Sequence, residues 1–142
     1  MNLQQAEVYD LVYNWFRKLT IKDPIDEMMA MLSPVDLEMK FPERTLHDFT
    51  EFKDWYETVT HLFFDQVHEL KMLTVDIQGE TAQVHLIVNW QARTWTPPAG
   101  FSEWQGFLIK QNWVVKRDPA TQKAVIFKYA VNHLDPMNPV HG

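Results

Sequence analysis

The chain has 142 residues, 46% apolar and 23% charged, with a formal net charge of −6 and no cysteine. That is one domain's worth of globular sequence, long enough to bury a core. An acidic balance without a long Lys/Arg cluster argues against nucleic acid as the main partner, because phosphate neutralisation needs a basic face. The lack of cysteine removes disulfides, thiolate nucleophiles and Cys-type zinc sites. The opening MNLQQAEVYD has neither a basic start nor an apolar run, so no signal peptide is expected. No stretch approaches the ~18 uninterrupted apolar residues of a membrane span, and the expectation is a soluble, cytoplasmic protein.

Val8, Leu11, Val12, Trp15, Phe16 and Leu19 recur at helical spacing and predict a first helix from about Leu3 to Leu19 with one apolar stripe. A shorter second helix follows, capped by Asp23, with Pro24 in its first turn and Ile25, Met28, Met29 and Leu32 as its apolar set. Ser33-Pro34 ends it. Asp36 to Phe41 alternates as a short strand with acids on one face, and Pro42 to Thr45 breaks it. A third helix is expected from Asp48 or Thr50 to Phe63, carrying Phe52, Trp55, Tyr56, Val59 and Leu62.

Two long strands then form a hairpin turning at Gln78-Gly79-Glu80-Thr81. In the second of them Ala82, Val84, Leu86, Val88, Trp90 and Ala92 share a face. In the first, Phe64, Gln66, His68, Leu70 and Met72 share a face, but the later apolar residues are Leu73, Val75 and Ile77. A one-residue bulge between Lys71 and Leu73 reconciles the two halves. A further strand ending near Arg117 presents Phe107, Ile109, Gln111, Trp113 and Val115, and after a turn at Asp118 to Lys123 the last strand presents Val125, Phe127, Tyr129, Val131 and His133. No repeat or linker divides the chain, so a single domain over residues 1–142 is expected, with 135–142 as a loosely ordered tail. Helices segregated before an antiparallel sheet make an α+β class.

This order resembles the NTF2-like superfamily and, more narrowly, its SnoaL-like branch. The likeness rests on the helix carrying Val12-Tyr13-Asn14-Trp15-Phe16, the strand after Leu32-Ser33-Pro34, the segment from Val67-His68 to Ala82, and the strand Gln111 to Asp118. It spans nearly the whole domain, to about Leu134. The resemblance implies a cystatin-like cone, in which a strongly curved antiparallel sheet wraps three helices and encloses a pocket. It implies a small apolar or aromatic ligand, and pairing of two copies through the outer sheet face, here with His85, Ile87, Asn89 and Gln91. Relatives of this kind include cyclases, isomerases and dehydratases that need no cofactor, and also binding subunits without turnover. The chemistry therefore has to be argued from the residues.

His68 is the strongest catalytic candidate, because its face also carries Leu70 and Met72 and a neutral imidazole among apolar groups can take and return a proton. The plainer reading is a core histidine satisfied by a backbone carbonyl. Asp36 is a candidate assisting acid, since desolvation there would raise its pKa, although acids alternating with Leu37, Met39 and Phe41 are also what the solvated side of an edge strand looks like. Gln111, between Ile109 and Trp113, either braces the core or reads a ligand. Arg117 shares that parity and could hold a carboxylate, while Trp15, Trp113 and Tyr129 are candidate wall residues. No His-x-x-x-His pair, Gly-rich phosphate loop or Gly-x-Ser-x-Gly is present, so neither a metal site nor a cofactor is expected.

Overall fold

A computed structural model describes residues 2–137. Three helices, α1 (Gln5–Ile21), α2 (Ile25–Met29) and α3 (Phe49–Leu62), accompany six strands. The strands are β1 (Glu38–Lys40), β2 (Thr45–Leu46), β3 (Phe64–Gln78), β4 (Thr81–Thr94), β5 (Glu103–Arg117) and β6 (Ala124–Pro136). They form one sheet in the order β2-β1-β6-β5-β4-β3. The sheet is not wholly antiparallel, because β1 runs parallel to β6. The segment Pro42 to Thr45, expected only to break the short strand, instead turns it back so that β2 pairs with β1. No helix among the described residues is long and apolar enough to cross a membrane.

α1 forms where its apolar stripe predicts, and Val8, Leu11, Val12, Trp15, Phe16 and Leu19 are its buried residues. It starts at Gln5 rather than Leu3, because Leu3 donates its backbone N–H to Gly79 O (2.9 Å) and joins the core from outside the helix. It stops at Lys22, which adopts the left-handed conformation. α3 is capped by Asp48, whose side chain accepts from the Glu51 N–H at 2.8 Å. Of the tail expected from 135, Asp135 and Pro136 belong to β6, and residues 138–142 lie outside the described residues.

Bulges bend the sheet around α1. β4 and β5 pair without a break from Thr81↔Lys116 to Thr94↔Glu103. Both flanking strands carry extra residues, β3 between Phe64 and Val67 and between Leu70 and Met72, β6 opposite the steps Lys110/Gln111 and Val114/Val115 of β5. A bulged strand bends and twists more than its partner, so bulges on both sides of a regular centre curl the sheet. α1 consequently touches both β3 and β6.

The β3 shift at Lys71 falls where the alternation required one. It turns Met72 to the outer face, opposite Ile87 and 43% exposed, away from the face of His68 and Leu70. The β6 bulges correct a second expectation. Ile126 and Tyr129 face the core, while Phe127 lies outside under the Lys116 and Lys128 ammonium groups, 4.4 and 4.9 Å from its ring centre. Past the second bulge Leu134 takes the inner position and His133 is exposed, bonded to Asp135.

Candidate active site

At the open end of the curved sheet lies a cavity of about 160 Å³. α1 contributes Phe16 and Leu19, α3 contributes Trp55 and Val59, and Phe63 follows as the cap of α3. The sheet contributes Gln66 and His68 from β3, Val88 and Trp90 from β4, Ile109 and Gln111 from β5, and Tyr129, Val131 and Leu134 from β6. Phe41, stacked on Trp55 at 4.4 Å, closes one side, and the exposed Glu43 stands at the rim. Glu43 is the one formally charged side chain in this lining, so the interior is apolar with a few polar groups, the composition of a small-molecule site.

His68 sits between α1 and the sheet. Its ring stacks on Phe16 at 5.7 Å, and its Nδ1 lies 2.9 Å from Thr20 Oγ1. Burial pushes its pKa down to about 4, so the imidazole is neutral at physiological pH. Its Nε2 makes no hydrogen bond among the described residues, which leaves that atom for a ligand.

Gln111 is 3% exposed and accepts from Trp113 Nε1 through Oε1 at 3.0 Å. Because an indole N–H only donates, this contact fixes which end of the amide is oxygen and leaves the Gln111 NH₂ as a donor. Burial raises the pKa of the neighbouring Tyr129 hydroxyl, while Trp15 and Gln111 oppose the rise. The Trp15 N–H is buried without a hydrogen-bond partner. Gln66 is oriented in the same manner, its Oε1 accepting from Trp90 Nε1 at 3.1 Å. The cavity lining thus combines the Gln111 amide, the Tyr129 phenol and the His68 imidazole.

The structure brings together His68, Gln111 and Tyr129 among the residues singled out in the sequence. It places the others elsewhere. Asp36 is exposed in a left-handed turn (φ 57°) before β1 and does not line the cavity, while His68 takes Thr20 as its partner. Trp15 and Trp113 are fully buried behind the cavity, packed on one another at 6.3 Å and on Tyr129 at 5.7 and 5.0 Å. Arg117 lies at the far end of β5, where it grips both oxygens of Glu7 at 2.9 and 3.0 Å and donates to the backbone oxygens of Asn2 and Gln122. It ties the start of α1 to the sheet.

Sequence reasoning missed Thr20 and Gln66. Gln66 shares the parity of His68 and could have been found there. Thr20 carries no local signal, since its partner is 48 residues away. Among the described residues no cluster of His, Asp or Glu could hold a metal ion.

Comparison with known proteins agrees with this architecture. The family model described as a SnoaL-like domain matches residues 3–120. No curated protein matches the sequence. Among solved structures, one from Streptomyces avermitilis, provisionally assigned as a dehydratase of the NTF2-like family, superposes with a TM-score of 0.74 at 16% identity, covering 88% of this chain and 92% of that one. Another from Novosphingobium aromaticivorans, provisionally assigned as a scytalone dehydratase, gives 0.75 at 13% identity over 95% and 91%. A ketosteroid isomerase-like protein from Erwinia carotovora atroseptica gives 0.71 at 16% identity over 98% and 100%. At these identities the likeness is one of fold.

Proposed function

Because the chain belongs to the SnoaL-like domain family, we propose that it binds a small, largely apolar or aromatic molecule in this cavity and acts on it by cofactor-independent proton transfer. The reaction class is cyclisation, isomerisation or dehydration, with His68 as the acid/base group and Gln111 and Tyr129 holding an oxygen of the ligand. One observation carries this reading: a neutral imidazole with an unpartnered Nε2 lines an apolar cavity that also holds oriented donors. A base near one ligand atom and donors near another are what proton abstraction beside a carbonyl requires, because the donors stabilise the charge that develops on oxygen. Asp36, outside the cavity, is given no step.

The cavity suits a ligand whose buried part is about one ring, since an engineered apolar cavity of about 150 Å³ takes benzene. A panel of neutral one-ring ketones and phenols should therefore include binders. At about 100 times the dissociation constant a binder stabilises the fold by about 2.7 kcal/mol, readily seen by thermal shift. Proton transfer is then read as deuterium entering the bound ligand in D₂O. His68→Gln should keep binding and lose exchange. If the exchange persists in that variant, His68 is not the base.

A binding protein without turnover is the second reading. It is favoured by the hydroxyl partner of His68, since no carboxylate stands behind the ring to strengthen it as a base. Binding without exchange in the wild type would select it.

A homodimer through the outer sheet face is also proposed. Met72, exposed Val67 and half-buried Ile87 lie on that face beside polar His85 and Asn89, which suits pairing of two copies. Ile87→Glu should then convert the dimer to monomer in sedimentation. A wild-type monomer at micromolar concentration would overturn this assignment.

A further inference from the structure

The contacts of one hydroxyl group decide which nitrogen of His68 carries the proton. Thr20 Oγ1 lies 2.9 Å from the carbonyl oxygen of Phe16, one helical turn back, and 2.9 Å from His68 Nδ1. A threonine hydroxyl has a single hydrogen, and a carbonyl oxygen has none. The contact with Phe16 O is a hydrogen bond only if the hydroxyl donates there, the usual back-bond of a helical threonine. Oγ1 can then meet Nδ1 only as an acceptor. The reverse assignment would press two oxygen lone pairs together at 2.9 Å.

Placement agrees with this polarity. A surface groove runs between α1 and β3, lined by Thr20, Tyr13, Arg17 and Glu69 among others. Thr20 belongs to the groove alone, whereas His68 and Phe16 line both the groove and the cavity. The ring therefore stands as a partition, its Nδ1 edge turned to Thr20 and the rest of the imidazole reaching the cavity. We propose that Thr20 is a positioning residue that fixes His68 as its Nδ1–H tautomer, leaving Nε2 as the basic atom presented to the ligand. This rests on the reading of His68 as the cavity's acid/base group. It deepens that reading by naming the reactive atom and the side chain that sets it.

The tautomer can be read in the ligand-free protein, so the outcome is independent of whether any substrate is found. In ¹⁵N-labelled protein at pH 7, long-range ¹H–¹⁵N correlations distinguish a protonated from an unprotonated ring nitrogen. The His68 signals are identified by their loss in His68→Gln. Wild type should show a protonated Nδ1 and a bare Nε2. Thr20→Ser keeps the hydroxyl and should reproduce that pattern. Thr20→Val removes the acceptor and should shift the population to the Nε2–H form that neutral histidine ordinarily prefers, a change that loss of packing alone would not produce. A wild-type ring protonated at Nε2, or a Thr20→Val ring still protonated at Nδ1 as in wild type, overturns the proposal. Should Thr20→Val fail to fold, the wild-type and Thr20→Ser spectra decide, since both must show Nδ1–H.

Discussion

Burial takes the His68 pKa from an ordinary value of 6.5 down to about 4, and this has a consequence for stability as well as for chemistry. Between those values the unfolded chain binds a proton that the folded chain refuses, so stability rises with pH across that window. The contribution is fully present above about pH 6.5 and is lost as pH falls towards 4, amounting to at most about 3 kcal/mol. Urea unfolding at pH 7 and pH 4.5 should show His68→Gln losing less stability than wild type over that step. Equal losses would mean that the imidazole is not desolvated. Gln111 allows a second test. Gln111→Leu leaves Trp113 Nε1 buried with no acceptor, which should cost about 1–3 kcal/mol in urea unfolding.

α1, α3 and β4 were legible because each repeats one period over many residues. The stripe from Val8 to Leu19 and the alternation from Ala82 to Ala92 leave little choice of face. The bulge at Lys71 could be located because the apolar parity changes across it. β6 offered no such warning. Val125, Ile126 and Phe127 are all apolar, so either parity satisfies the pattern, and only pairing with β5 shows that Phe127 points outward. The same limit applied to Arg117, where strand parity alone does not reveal Glu7, 110 residues away, as its partner. That clamp is testable where it acts. Glu7→Gln should speed amide exchange in the first turns of α1 and leave the β4–β5 ladder unaffected. The lowered Glu7 pKa, held down first by its bond to Arg117, means that acidification through that range should loosen the same turns. Uniform exchange across the molecule would show that the contact is not local.

For the molecule as a whole, the sheet bends around α1 and leaves its open end lined by side chains from four strands and two helices. Sequence could indicate that a pocket exists, through the aromatic content and the family resemblance. It could not indicate that Trp15 and Trp113 stand behind the wall while Tyr129 forms part of it, because all three lie on inward faces. Depth along the cone decides between them, and depth depends on the curvature. Val131→Phe should fill the cavity from β6 with little loss of stability, since the added ring enters vacant space. It should also abolish the thermal shift given by any ligand that stabilises wild type. A variant that still responds would place the ligand elsewhere.

The extra residue at Lys71 divides β3 into two stretches whose inward and outward positions are set independently. The stretch towards Gln78 packs the closed end, and the stretch towards Phe64 supplies Gln66 and His68 to the open end. An insertion or deletion of one residue between His68 and the bulge would exchange which β3 side chains enter the cavity and leave Val75 and its neighbours in place. Descendants of such a chain can therefore acquire a new set of reacting groups by a small insertion and a compensating deletion, without re-evolving the core. The bend that shapes the cavity is also a hinge point for its inheritance.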